Sequence, residues 1–405
     1  MQTNPATPVP GKTTLAQPPQ RNVAIDAYRG LVMLLMMGEV LRFAHLAQAY
    51  PGNWLFAILG FNQEHVEWAG CSLHDMIQPS FSFLVGVALP YSIASRLAKG
   101  GTMGKLFLHA LWRSFLLAAL GIFLRSQSGP ITNFTFEDTL TQIGMGYPFL
   151  FLLGFAKPKW QWSALGAILF GYWLAWALYP VPAPGFDYAS VGVPANWPHL
   201  YTGFMAHWNK NANLGNAFDV WFLNLFPRVK PFLYNGGGYL TLSFIPTLGT
   251  MILGLVAGRW LRAEAPRIPL KKLLIAGAIG VAAGWLLHFT GICPVVKRIW
   301  TPAWTLFSGG VCFLFLAAFS FVIEMKGHRK WAFPLIVIGM NSIAAYLIAD
   351  MVGSYIHRSF EIHFGPNFFR FAGDGLAPTM QGAAILLTYW LILLWMYKRK
   401  LFLKI

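Results

Sequence analysis

The sequence is poor in charge. Only 11% of its 405 residues are Asp, Glu, Lys or Arg, where a soluble globular chain carries about a quarter. Set beside 56% apolar residues and a mean hydropathy of +0.52, that deficit excludes an ordinary water-soluble fold. Cysteine is nearly missing, and Cys71, Cys293 and Cys312 have no CxxC spacing, so neither a disulfide framework nor a zinc or redox motif is indicated. The sequence also lacks a GxSxG elbow, a Walker loop and a GxGxxG after a strand, which leaves serine-hydrolase, NTPase and Rossmann readings without support. His65, Glu67 and His74 are the candidate metal ligands, but there is no HExxH and no PCxxC follows the HxE of His65 and Glu67, so no metal is expected. Internal repeats, the mark of many secondary transporters, are missing as well.

What the sequence does have is apolar length. Ten windows approach the roughly 20 residues needed to cross a bilayer core. They lie at about 24–48, 75–95, 103–124, 138–155, 160–179, 239–261, 270–291, 300–323, 331–356 and 380–397. The expected fold is an all-α polytopic bundle of about ten spans over residues 21–405. Residues 1–20, rich in Pro, Thr and Gln, read as a disordered cytoplasmic tail. With the N-terminus inside, 19 of the 30 Lys and Arg fall on the inner side, 8 outside and 3 within spans. That bias favours N-in, C-in and accounts for most of the net charge of +16. The lipid bilayer is then the partner, nucleic acid is not expected, and a second copy of the chain is left open. Two external segments, about 49–74 and 180–238, are too long for turns and read as functional caps or interface-lying segments.

Ionisable groups in lipid are costly and usually face a cavity or a partner. Asp26 with Arg29, and Glu39 with Arg42, are three residues apart, a spacing that puts each pair on one helical face. Each pair either neutralises itself or serves a site. His109 and Arg113 share a face and need an anion nearby. Ser342, Tyr346, Asp350, Ser354 and His357 form a stripe about 22 Å long if helical throughout, lining a polar channel or bonding a neighbouring helix. His288 reads as a packed, satisfied histidine.

The densest chemistry lies in EHVEWAGCSLHDMIQPSFSFLVGVALP, residues 64–90. His65, His74 and Asp75 precede a helix in which Asp75, Pro79, Ser82 and Gly86 share one face. An imidazole here can take a proton from an attacking amine or hydroxyl, or carry an acyl group itself.

Six segments in order resemble the membrane acyltransferases related to heparan-alpha-glucosaminide N-acetyltransferase. DAYRG (26–30) is similar to that family's DxxRG. His65, Trp68, Gly70, Asp75, Pro79, Phe81, Phe83 and Gly86 resemble its HxxWxG and the helix that follows. TLTQIGMGY (139–147), the glycine-led 236–258, KRIWTPAWTLFSGG (297–310) and FPLIVIGMNSIAAY (333–346) resemble its later motifs. The resemblance implies acyl transfer across the membrane, from cytosolic acetyl-CoA to an amino sugar or glycan outside. His65 would be base or acyl carrier; Asp75, which matches the helix that follows, and Glu39, singled out as a carboxylate within the first span and not by the resemblance, are the further catalytic candidates. Trp68, Gly70, Arg29, Arg113, Lys297, Arg298, Trp300 and Asn341 are the expected substrate-binding residues, and a bacterial cytoplasmic (inner) membrane the expected location.

This sequence departs from the family pattern in three places. MGEVLRFAH stands where an Asn is common, about one extra helical segment separates DAYRG from His65, and Gln142 lacks the following Arg. No counterpart of the large lumenal domain of the animal enzyme is expected. A permease using Glu39, Arg42, Arg113 and Asp350, and a catalytically idle scaffold, are the competing readings.

Overall fold

The computed structural model describes residues 22–403, apart from the side chain of Ala372. The expected 1–20 tail lies outside the described residues. In chain order the helices are α1 (Val23–Met37), α2 (Phe43–Ala49), α3 (Trp54–Gln63), α4 (Ile77–Ala98), α5 (Met103–Ser126), α6 (Thr139–Phe155), α7 (Pro158–Leu178), α8 (Leu214–Leu223), α9 (Phe244–Glu264), α10 (Leu270–Phe289), α11 (Pro302–Phe319), α12 (Phe333–Gly339), α13 (Ser342–Met351), α14 (Gly353–Phe364) and α15 (Ala377–Lys398). The only strand-like pairing among the described residues is one isolated antiparallel bridge, Ala69 to Val296.

The architecture is the all-α membrane bundle expected from composition. Among the described residues six helical segments are long and apolar enough to cross a bilayer, and the number rises to eight if each of two bent pairs, Val23–Leu41 with Phe43–Ala49 and Lys330–Gly339 with Ser342–Met351, is one span. The other two expected windows correspond to α6, apolar but 17 residues long, and the Trp-rich α7 of 21 residues.

The bends overturn two helical-face expectations. Glu39 and Arg42 do not share a face, because a 3-10 turn (Gly38–Leu41) ends α1 and Arg42 enters the left-handed region at φ 51°. The chain turns by 44° there. Backbone groups released by such a break cost several kcal/mol each if left unpaired in lipid. Gln63 meets two of them, accepting from the Phe43 N–H and donating to the Gly38 carbonyl at 2.6 Å. α2 and α3 thus form a hairpin, which is the extra helical segment noted in the sequence. The stripe from Ser342 to His357 is likewise interrupted, since α13 ends at Met351 and α14 restarts at Gly353. Asp350 accepts from the Gln127 carboxamide at 3.1 Å and His357 lies 3.7 Å from Glu361. His288 accepts the Val295 N–H at 3.3 Å, as a satisfied histidine should.

Small residues bring the central helices together. A Cβ on Gly86 of α4 would sit 2.0 Å from the Met251 carbonyl oxygen, and one on Gly254 of α9 1.9 Å from that of Phe83. Backbone approach of this kind lets packing hold helices that gain no hydrophobic drive from lipid. Gln142 adds a polar tie, donating to the Leu240 carbonyl and accepting from the Thr247 hydroxyl, both at 3.0 Å.

The long segment 180–238 is a folded cap. Asn209, Asn211, Asn213 and Asn216 are buried in it, with Asn209 donating to the Tyr188 hydroxyl at 2.8 Å and the Tyr201 carbonyl at 3.0 Å. The Trp68 indole donates to the Trp208 carbonyl at 3.2 Å and so joins this cap to the His65 loop. Within the cap, Asp219 of α8 is buried, accepts the Thr241 N–H at 3.0 Å, and is pushed by that burial up to about 7. Its folded-state pKa is raised, so ionisation costs the folded state increasingly as pH climbs from the ordinary carboxylate range toward 7. Asp219→Asn keeps the acceptor for Thr241. The variant is therefore expected to melt at a higher temperature than wild type at about pH 8, with the difference closing near pH 4. Thermal melts in detergent across that range check this.

Candidate active site

His65 follows α3, and the loop behind it is built around Asp75. The Asp75 carboxylate is 1% exposed and collects five donors. Oδ2 accepts the Val66 N–H at 3.2 Å, the Ser72 N–H at 3.0 Å and the Ser72 hydroxyl at 3.1 Å. Oδ1 lies 2.8 Å from His65 Nδ1 and 3.3 Å from Lys297 Nζ. Gly70, at φ +118°, permits the turn between Trp68 and Ser72, and its N–H donates to the Val295 carbonyl at 3.0 Å. The Ala69 to Val296 bridge then fixes the loop carrying Lys297 against the loop carrying His65. Arg298 completes the frame. It donates to the Val66 carbonyl at 3.3–3.4 Å and to the Gly237 carbonyl at 2.8 Å, and it lies over the Tyr239 ring. Its guanidinium is spent on holding three loops together.

Lys297 Nζ lies 3.0 Å from His65 Nδ1 and 3.5 Å from Nε2. An ammonium on the in-plane axis of one ring nitrogen would be far from the other, so Lys297 sits against the flank of the imidazole and its ion pair is with Asp75. The tautomer follows from the partners, with Nδ1–H donating to Asp75 and the Nε2 lone pair left for chemistry. Burial lowers the His65 pKa below its ordinary value, the Asp75 hydrogen bond opposes that shift, and the Lys297 charge adds to it. The result is an imidazole oriented by its carboxylate, with its cationic form disfavoured by burial. Burial also lowers the Lys297 pKa, against the pull of Asp75.

Two adjoining cavities meet this site. The first, about 450 Å³, is lined by Glu39, His65, His74, Lys297 and Tyr239 among others. The second, about 340 Å³, holds Arg29, Arg113, Tyr147 and Ser342. Phe81, Thr139 and Tyr346 line both. Along α4 the lining runs from Ile77 to Ser92, about 22 Å at 1.5 Å per residue. At the far end Arg96, His109 and Arg113 line a small recess, and Arg113 lies over the Tyr147 ring.

The structure therefore brings His65, Asp75, Lys297 and Glu39 together, with Trp68, Gly70 and Arg298 as their frame. Arg29, 3.7 Å from Asp26, and Arg113 belong to the second cavity. Trp300 and Asn341 lie elsewhere. Trp300 is buried and donates to the Thr250 hydroxyl at 3.2 Å; Asn341 donates to the Leu401 carbonyl and accepts the Leu403 N–H. Sequence reasoning did not single out Tyr239, Arg125 or Glu137, which line the first cavity from elements distant in the chain. His74 stands out in the sequence as a neighbour of Asp75 and as a possible metal ligand with His65 and Glu67, but not as the partner of Glu39. Among the described residues no cluster of three or more His, Cys, Asp or Glu is arranged to hold a metal ion.

Fold and site together define an integral membrane protein whose polar cavity presents a carboxylate-oriented histidine. No family model matches the chain. It is 25% identical over 389 residues to human (Homo sapiens) heparan-alpha-glucosaminide N-acetyltransferase, covering 85% of this chain and 55% of that protein. The mouse (Mus musculus) protein of the same name is 24% identical over 424 residues, covering 94% and 60%. The chain spans a little over half the length of these curated relatives. It is thus similar over most of its own length to two N-acetyltransferases of the kind that the six sequence segments resemble.

Proposed function

We propose that the protein is a membrane acyltransferase that moves an acetyl group from cytosolic acetyl-CoA to an amino sugar or glycan at the external face of a bacterial cytoplasmic membrane. The observation that carries this reading is His65, held by Asp75 with Nε2 unengaged by that carboxylate, at one end of two adjoining cavities whose other end is cationic. A thioester is already activated, so the chain has to orient the two substrates, remove a proton and stabilise the oxyanion. His65 Nε2 takes the proton of the attacking amine or hydroxyl. Lys297, beside the imidazole, offsets negative charge developing on the thioester oxygen. Arg29, Arg96 and Arg113 suit the phosphates of CoA, and the space between them and His65 suits its thin pantetheine arm. The similarity to two N-acetyltransferases supports this assignment.

Purified protein given labelled acetyl-CoA and glucosamine should release CoA, and His65→Ala should not. Solute uptake that ignores His65→Ala would instead support the permease, and neither activity the scaffold. The base also has a pH signature. Because the Lys297 charge lowers the pKa of His65, Lys297→Met raises it, and the imidazole is then protonated at higher pH. The acid limb of the rate profile is expected to move upward; a limb that stays or moves downward contradicts the assignment of His65 as the base.

A further inference from the structure

Beside the His65 and Asp75 pair stands a second histidine and carboxylate that the reading above does not use. His74 is buried, its ring centroid 4.6 Å from that of His65, and its Nε2 lies 3.0 Å from Glu39 Oε1. Both imidazoles and Glu39 line the same cavity. The two carboxylates are unlike. Asp75 is sealed and saturated with donors, whereas the Glu39 side chain is 60% exposed, carried into place by the bend that ends α1. A sealed carboxylate orients its histidine; an open one also exchanges protons with water.

Acylation of an amine has two protons to manage. An amine that arrives as ammonium must lose one before its nitrogen has a lone pair, and a second as the C–N bond forms. The departing thiolate takes back only one, so an ammonium and a thioester give an amide, a thiol and one released proton. One imidazole holding one proton must discharge it to water between the two events. A hydroxyl acceptor, which arrives neutral, has no such first step.

Resting on the acyl-transfer reading, we propose that His74 and Glu39 form a second base dedicated to the first of these protons. His74 Nδ1 takes it from the ammonium, and the Nε2 proton passes to Glu39 and on to water. His65 Nε2 takes the second proton as the amine attacks the thioester carbon, then returns it to the sulfur as the C–S bond breaks. The other ionisable groups around the cavity are Asp75 and Lys297 behind His65, Arg125 from α5, Glu137 and Asp138 before α6, and Tyr239 and Tyr346. None of these lies at Glu39 or His74 in an ion pair among the described residues.

The test compares full-length wild type, His74→Gln, Glu39→Gln and His65→Gln in detergent, with acetyl-CoA and glucosamine, between about pH 6 and pH 9. At the low end, where the amine is protonated, His74→Gln should lose roughly 10- to 100-fold in kcat/KM; at the high end, where the amine arrives neutral, the loss should shrink below about 3-fold. Glu39→Gln should follow the same trend more weakly, and His65→Gln should be inactive throughout. A His74→Gln deficit that is absent, or equal at every pH, overturns this inference alone. A wild type that transfers no acetyl group overturns the acyl-transfer reading and this inference with it.

Discussion

His65→Ala is expected to lower acetyl transfer by roughly 10³-fold, within the range that a positioned base contributes, with expression and melting temperature close to wild type. The side chain is about a third exposed at a cavity edge, so its removal leaves neither a buried void nor a stranded charge on its own account. Asp75→Asn should cost nearly as much by a different route. A carboxamide at this position can offer an N–H to His65 Nδ1, which turns the imidazole to the tautomer with its proton on Nε2 and leaves no lone pair where the acceptor binds. The double variant should be little worse than either single one, because the pair acts as a unit. Steady-state CoA release by the four proteins checks this. Losses that simply multiply would show that Asp75 works apart from His65.

The largest expected effect on folding comes from residues without chemistry. Gly254→Val should abolish recovery of a monodisperse protein in detergent, and Gly86→Val should do the same. At both positions the atom that a Cβ meets is a backbone carbonyl oxygen of the facing helix, at 1.9 and 2.0 Å, which cannot move aside as a side-chain tip can. Ordinary overpacking costs about 1–3 kcal/mol; here the helices themselves must part, and α4 carries the lining of both cavities from Ile77 to Ser92. Gly171→Ala, where a Cβ meets nothing within 4 Å, is the control and should behave as wild type. Size-exclusion profiles separate these outcomes.

The all-α membrane class was legible because bilayer length is a property of contiguous sequence, and the clustering of His and Asp at residues 65–75 can be seen in the same way. The bend at Arg42 was not, since nothing between Met37 and Phe43 is Pro, and the break is stabilised from outside by Gln63, twenty residues on. Glu39 was picked out for the wrong neighbour. Its partner is His74 on another element and not Arg42, a pairing that only the bend creates. Lys297 and Arg298 are adjacent in sequence but differ in surroundings: Arg298 holds loop carbonyls, whereas Lys297 pairs with Asp75 and still lines the cavity. Sequence shows which residues are costly in lipid; which partner relieves each cost is decided by tertiary contacts. Trp300 and Asn341 illustrate the same point, because their polar atoms are spent inside the bundle.

The central claim is that the acetyl donor and its acceptor approach the same imidazole from opposite sides of the membrane. Proteoliposomes of uniform orientation, loaded with acetyl-CoA on one side only and given glucosamine on the other, test it directly. Acetylated glucosamine should accumulate on the side opposite the CoA, should be lost with His65→Ala, and should not form when donor and acceptor share either compartment alone. Product that forms equally well with both substrates on one side, or that survives His65→Ala, would contradict it.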